Sequence, residues 1–153
     1  MSLYEFLVWV HVLMVVVWVG GGIAIQLFAL RATRANDPVR LAAFSGDAEW
    51  IGLRVFMPAS LLVLVFGIWA GIEGDWKFGQ AWISIGFAAF LFSFFLGMAF
   101  LGPESGRITQ LVTERGVGDP EVGRRTAKIL LLSRIELVVL IVAIWAMVTK
   151  PGL

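Results

Sequence analysis

The first long apolar stretch of the chain, Leu3–Leu30, constrains the fold more than any other feature of the sequence. About 20 consecutive apolar residues are enough for a helix to cross a bilayer. Only helices and closed barrels satisfy every backbone hydrogen bond in lipid, and this stretch is too long and continuous for a barrel strand. It has no basic segment before it and is longer than the apolar core of a signal peptide. We therefore predict a membrane-spanning helix that is retained in the protein.

Three more apolar runs of similar length follow the first. They extend from about Trp50 to Ile72, from about Ala81 to Leu101 and from about Ile129 to Val148. The whole chain of 153 residues is 59% hydrophobic, whereas soluble domains are about 45–50% apolar. The sequence predicts an all-α polytopic membrane protein, with a single four-helix transmembrane bundle over residues 1–153.

The basic residues between these spans predict how the bundle is oriented. Lys and Arg concentrate in loops that remain in the cytoplasm. The loops after spans one and three are rich in them, whereas the loop after span two and the C-terminal tail hold one each. The residues in the two rich loops are Arg31, Arg34, Arg40, Arg107, Arg115, Arg124, Arg125 and Lys128, and the two isolated ones are Lys77 and Lys150. We expect both termini on the outer side, in the bacterial inner (plasma) membrane.

The two basic loops share a helix-start signal. Asp37-Pro38 precedes the second span and Asp119-Pro120 precedes the fourth. An Asp side chain accepts hydrogen bonds from the free N–H groups at a helix start, and Pro lacks the N–H that would stay unpaired there. We expect a helix to begin at each pair. The similarity of the two halves is also compatible with a two-plus-two repeat, of the kind found in some transporters.

Glycines mark the expected close contacts between helices. Gly67 and Gly71 form a G-x-x-x-G motif in span two, and Gly20–Gly22 make span one thin near its middle. Small residues let helix backbones approach closely in lipid. We interpret most of these positions as packing features, and Gly20–Gly22 as a candidate flank for a flat cofactor.

Several function classes are excluded or disfavoured by composition. The chain has no cysteine, so disulfides, thiolate metal sites and cysteine redox chemistry are excluded. The formal net charge of +1 gives no reason to expect a nucleic-acid partner. One histidine, no cysteine and scattered methionines do not form a soft-ligand copper cluster.

The ionisable residues inside the spans are the candidate functional groups, because such residues are costly in lipid. His11, the only histidine, shares one helical face with Trp18 and Gly22. Arg54 lies inside span two, and Arg134 and Glu136 lie inside span four, with Gln26 near the same level. An Arg54–Glu136 bridge is one interpretation of these charges, and a polar site for an anionic group is the other.

Three of the spans carry short motifs that resemble a known superfamily, the HemJ-type protoporphyrinogen oxidases and the related membrane domains of copper-resistance protein D. The motifs are His11-x6-Trp18-x-Gly20 in span one, Arg54-x3-Pro58-x8-Gly67 in span two, and Arg134-Ile-Glu136 followed by Lys150-Pro151 at the end. The His-Val-Leu and Trp-Val-Gly-Gly opening also resembles that of small bacterial predicted integral membrane proteins. The resemblance covers roughly half of the chain.

The resemblance implies a helical bundle that binds haem b, with His11 as the axial iron ligand, and an oxidoreductase if the protein is an enzyme. The cofactor-binding residues that we predict are His11, Trp18, Gly22, Arg54, Arg134 and Glu136. In this interpretation Arg54 and Arg134 hold the propionates by charge-assisted hydrogen bonds.

Two other functions remain open from the sequence. One is a non-enzymatic accessory or structural membrane subunit, which fits the glycine faces and the small soluble mass, with a homo-oligomer or a membrane complex as its setting. The other is a small transporter, favoured by the repeat and the intramembrane charges. A cavity beside His11, a filled bundle with Arg54 paired to Glu136, and a wet central path would distinguish the three functions.

Overall fold

A computed structural model of the protein describes residues 1–152 and confirms the all-α prediction. Four long helices follow one another along the chain: α1 (Leu3–Arg34), α2 (Pro38–Glu73), α3 (Ala81–Arg115) and α4 (Pro120–Thr149). Each is long and apolar enough to cross a membrane. They pack as an antiparallel bundle joined by short loops.

The helices are longer than the predicted spans. At about 1.5 Å per residue, 30–36 residues reach about 45–54 Å, compared with about 30 Å for the hydrocarbon core of a bilayer. The extra turns lie at the end of the bundle where α1 meets α2 and α3 meets α4, here called the basic end. The segment Glu104–Arg115 is therefore an extension of α3. These turns are helical because their apolar residues pack together in a cluster that includes Leu41, Ile108 and Val122.

Both predicted helix starts are confirmed. The backbone N–H of Val39 donates to Asp37 Oδ1 at 2.9 Å, and α2 begins at Pro38. The backbone N–H of Glu121 donates to Asp119 Oδ1 at 2.7 Å, and α4 begins at Pro120. Each aspartate therefore satisfies backbone donors that the helix itself leaves unpaired.

Ion pairs hold the basic end together. Glu104 is buried, and its carboxylate accepts a hydrogen bond from Arg125 Nη1 at 2.6 Å, which links α3 to α4. Arg125 also pairs with Glu121 at 2.8 Å, and Arg115 lies 3.3 Å from the same Glu121. These contacts fix the short turn between α3 and α4.

A π-helical turn interrupts three of the four helices. These turns are Val16–Gly20 in α1, Gly52–Phe56 in α2 and Gly97–Leu101 in α3. In α2 and α3 the turn separates two halves with different partners. The half of α2 before its π turn packs on α3, and the half after it packs on α1. The half of α3 before its π turn packs on α4, and the half after it packs on α2. The helices therefore diverge from their partners near the middle of the bundle.

Candidate ligand cavity in the bundle

A cavity of about 180 Å³ lies where the helices diverge. All three π turns contribute to its wall, through residues such as Trp18, Gly52 and Gly97. The π turn is rare and is frequent at functional sites. An engineered apolar cavity of about 150 Å³ binds benzene, so this cavity is large enough for one six-membered ring.

The wall of the cavity is mostly apolar, with a small set of polar side chains. Gln26 of α1 donates from its Nε2 to the hydroxyl oxygen of Ser133 in α4. The Ser133 hydroxyl donates in turn to the backbone carbonyl of Ile129 at 2.8 Å. Ser60 of α2 donates to the carbonyl of Met57 at 2.8 Å. Each of these three side chains thus donates one hydrogen bond within the protein.

Two polar atoms in the wall have no partner. Gln26 Oε1 and Ser93 Oγ are buried without a hydrogen bond within residues 1–152, and Ser93 is only 1% exposed. Leaving a buried polar group unsatisfied costs about 1–3 kcal/mol. Both atoms can accept a hydrogen bond, and both belong to residues that line the cavity.

Glu136 of α4 adds a carboxyl group to the same wall. Among the ion pairs that the described residues form, none includes Glu136, Arg54 or Arg134. The Arg54–Glu136 bridge is therefore not formed. The physical reason is that Arg54, in the π turn of α2, and Arg134 both have exposed side chains, whereas Glu136 is half-buried at the cavity.

The cavity opens at the side of the bundle. Leu53 of α2 and Met98 of α3 line it and are 50% and 45% exposed. Both lie in π turns, between the two halves of their helices. Both also lie within the predicted apolar spans, where exposed apolar side chains face lipid, so the opening connects the cavity with the acyl chains.

His11 lies elsewhere, at the contact between α1 and α2. Its Nδ1 is 2.8 Å from the backbone carbonyl oxygen of Val63. A Cβ atom built on Gly67 would lie 2.9 Å from ring atoms of His11, so this glycine makes room for the ring. The expected close contact between helices at Gly67 is thus confirmed, and the group that packs against this glycine is the imidazole of His11.

The predicted site residues therefore fall into two groups. Trp18, Gly22 and Glu136 line the cavity, whereas His11, Arg54 and Arg134 do not. No group of three or more metal-ligating side chains occurs within residues 1–152. Sequence reasoning missed Ser93 and the π turns. Ser93 and Gly97 are four positions apart in span three and therefore share a helical face, and this pair of small residues was the available signal for that part of the wall.

Comparison with known proteins assigns the family. A family model described as a predicted integral membrane protein matches residues 5–151. The chain belongs to the DUF2269 family of predicted integral membrane proteins. This agrees with the four membrane-spanning helices and with the expected relation to small integral membrane proteins of this description. No curated protein and no solved structure matches the chain.

Proposed function

We propose that this DUF2269 protein binds a small lipophilic molecule that it takes up from the bilayer. The observation that carries the proposal is the cavity of about 180 Å³, whose mostly apolar wall includes the polar residues Gln26, Ser93 and Glu136. Ligand sites are typically apolar cavities with a few polar groups that orient the ligand.

The geometry of the opening supports uptake from lipid. Leu53 and Met98 place an apolar mouth in the middle of the bundle. The mouth lies between helix halves that already differ in their packing partners, at the π turns of α2 and α3. A lipophilic molecule can reach the cavity along this route without crossing water.

Photolabelling in membranes tests this proposal. The probe is a phenyl diazirine, a single-ring lipophilic reagent that forms covalent bonds with nearby residues on illumination, and labelled residues are located by mass spectrometry. We expect labelling of the cavity residues Met57 and Ser60. Val138, which is exposed on α4 and does not line the cavity, serves as the reference for labelling from lipid.

Two matched glycine variants separate cavity binding from surface labelling. Gly97 lines the cavity, Gly20 does not, and a Cβ at either position meets no atom within 4 Å. Gly97→Leu should abolish labelling at Met57 and Ser60, whereas Gly20→Leu should preserve it and Val138 should be labelled equally in both. Equal labelling of the cavity residues in both variants would overturn the proposal.

Haem binding through His11 is a second candidate, favoured by one contact. The Val63 carbonyl can only accept, so in the neutral imidazole Nδ1 carries the proton and Nε2 keeps a free lone pair. Metal-ligating histidines commonly donate from their other nitrogen in this way. The cavity itself does not fit a porphyrin, because it has room for about one ring and is not lined by His11. In this candidate the haem lies outside the cavity.

The visible spectrum of the purified protein tests the haem candidate. A Soret band after reconstitution with haem b that is lost in His11→Ala, and retained in Gly97→Leu, would support a haem site separate from the cavity. If no band forms in the parent protein, or if the band persists in His11→Ala, the candidate is wrong and His11 is a packing residue.

A further inference from the structure

We propose that the ligand of the cavity is a lipophilic amine, bound as its ammonium cation through Glu136. This inference rests on the proposed function and specifies its ligand class. Three features of the wall carry it: the charge of its ionisable group, the unpaired acceptor atom of Gln26, and the size of the space.

The charge of the wall favours a cation. Among the residues that the structure describes around the cavity, Glu136 is the only one that titrates, and no Lys, Arg or His faces it. The nearest arginines along the helices, Arg54 and Arg134, are exposed and outside the wall. A carboxylate in apolar surroundings is costly unless a cation pairs with it. A bound ammonium group provides this partner.

The unpaired hydrogen-bonding groups also favour a donor. Because the Ser133 hydroxyl donates to the Ile129 carbonyl, its oxygen accepts from Gln26 Nε2, and the amide orientation leaves Gln26 Oε1 as the free atom. Ser93 Oγ is the second unpaired atom. The Ser93 hydroxyl can donate as well as accept, whereas Gln26 Oε1 can only accept. A primary ammonium has three N–H donors and no acceptor, so it supplies the donor that Gln26 Oε1 lacks.

The size and position of the cavity limit the rest of the ligand. The volume of about 180 Å³ suits one ring, and the opening at Leu53 and Met98 leaves room for a longer apolar part to remain among the acyl chains. The ligand class is therefore a ring or short chain bearing an amine. Single-ring alcohols and hydrocarbons fit the same volume, and they are the comparison compounds of the test.

Competition against photolabelling distinguishes these classes. Benzylamine, benzyl alcohol and toluene are added separately to membranes that contain the full chain. For each compound, the concentration that halves phenyl diazirine labelling of Met57 is measured. A charge-assisted hydrogen bond is worth about 1.5–3 kcal/mol, which corresponds to about tenfold or more in affinity. The same three compounds are tested on Glu136→Gln, and on Glu73→Gln as a control, since Glu73 is exposed at the end of α2.

The comparison uses the half-inhibiting concentration of benzylamine divided by that of toluene, because this ratio removes differences in lipid partitioning between variants. We expect Glu136→Gln to raise this ratio about tenfold, because benzylamine binds more weakly while toluene still competes. Glu73→Gln should leave the ratio unchanged. If toluene competes and the ratio is the same in Glu136→Gln, the amine inference is wrong and the proposed function stands. If none of the compounds competes, the proposed function itself fails. Retained toluene competition shows that each variant is folded.

Discussion

Replacing Gly67 by alanine should destabilise the bundle through a single side chain, His11. A Cβ at position 67 would lie 2.9 Å from His11 Cε1 and Nδ1, whereas carbon atoms in contact are about 3.5–4.0 Å apart. The ring must therefore move by about 0.6–1 Å. Its Nδ1 is already 2.8 Å from the Val63 oxygen, so this shift lengthens the hydrogen bond beyond its usual range.

The expected cost follows from these two effects. Overpacking a tight contact costs about 1–3 kcal/mol, and losing one hydrogen bond costs about 0.5–1.5 kcal/mol. Alanine recovers about 0.5–1 kcal/mol because glycine is a poor helix former. Gly67→Ala should therefore lower the free energy of unfolding by about 0.5–4 kcal/mol in the parent protein. In the His11→Ala background there is no ring to displace, and the same change should be neutral or stabilising.

Unfolding by SDS in mixed micelles, followed by far-UV circular dichroism, measures all four members of this double-mutant cycle. Gly20→Ala is the matched control, because a Cβ at Gly20 meets no atom within 4 Å. It should be neutral or stabilising in both backgrounds. If Gly67→Ala has the same cost with and without His11, the imidazole is not the group that occupies the space beside Gly67, and the described α1–α2 contact is wrong.

The same denaturation assay checks two predictions at the basic end. Asp37→Ala should cost about 0.5–2 kcal/mol, because it leaves the N–H of Val39 without its side-chain acceptor; an unchanged midpoint would exclude a capping role. Glu104→Gln should lower the SDS midpoint, because it removes a buried partner of Arg125, whereas Glu114→Gln at an exposed site of the same helix should not; equal effects of the two substitutions would contradict the ion-pair assignment.

Local chemistry made the ends of the helices predictable. Asp37 and Asp119 satisfy N–H groups two residues away, so their role depends only on neighbours in sequence. The membrane spans were predictable for a similar reason, since a run of apolar residues long enough to cross lipid has few other stable structures. The extra helical turns at the basic end were not, because their stability comes from contacts between Leu41, Ile108 and Val122 of three different helices.

The cavity depends on contacts that a single sequence does not reveal. Gln26 and Ser133 are 107 positions apart, and no short motif joins them. A π turn of five residues is too short to produce a recognisable periodicity of apolar residues, so the sequence predicted continuous helices. Trp18 and Gly22 were identified as site residues because they share a helical face with His11, and Glu136 because an ionisable residue is costly in lipid. The structure places His11 against Gly67 of α2, whereas Trp18 and Gly22 line the cavity.

Diffraction from crystals grown in a lipid phase and soaked with bromobenzene tests directly whether the cavity binds a lipophilic ring. Bromine is located by its anomalous signal, so the ring position is read without assuming a ligand. We expect a bromine peak inside the bundle beside Ser93 and Leu140, present in the parent protein and in Gly20→Leu but absent in Gly97→Leu. Bromine peaks confined to the lipid-facing surface would show that the space between the π turns does not bind a lipophilic ring.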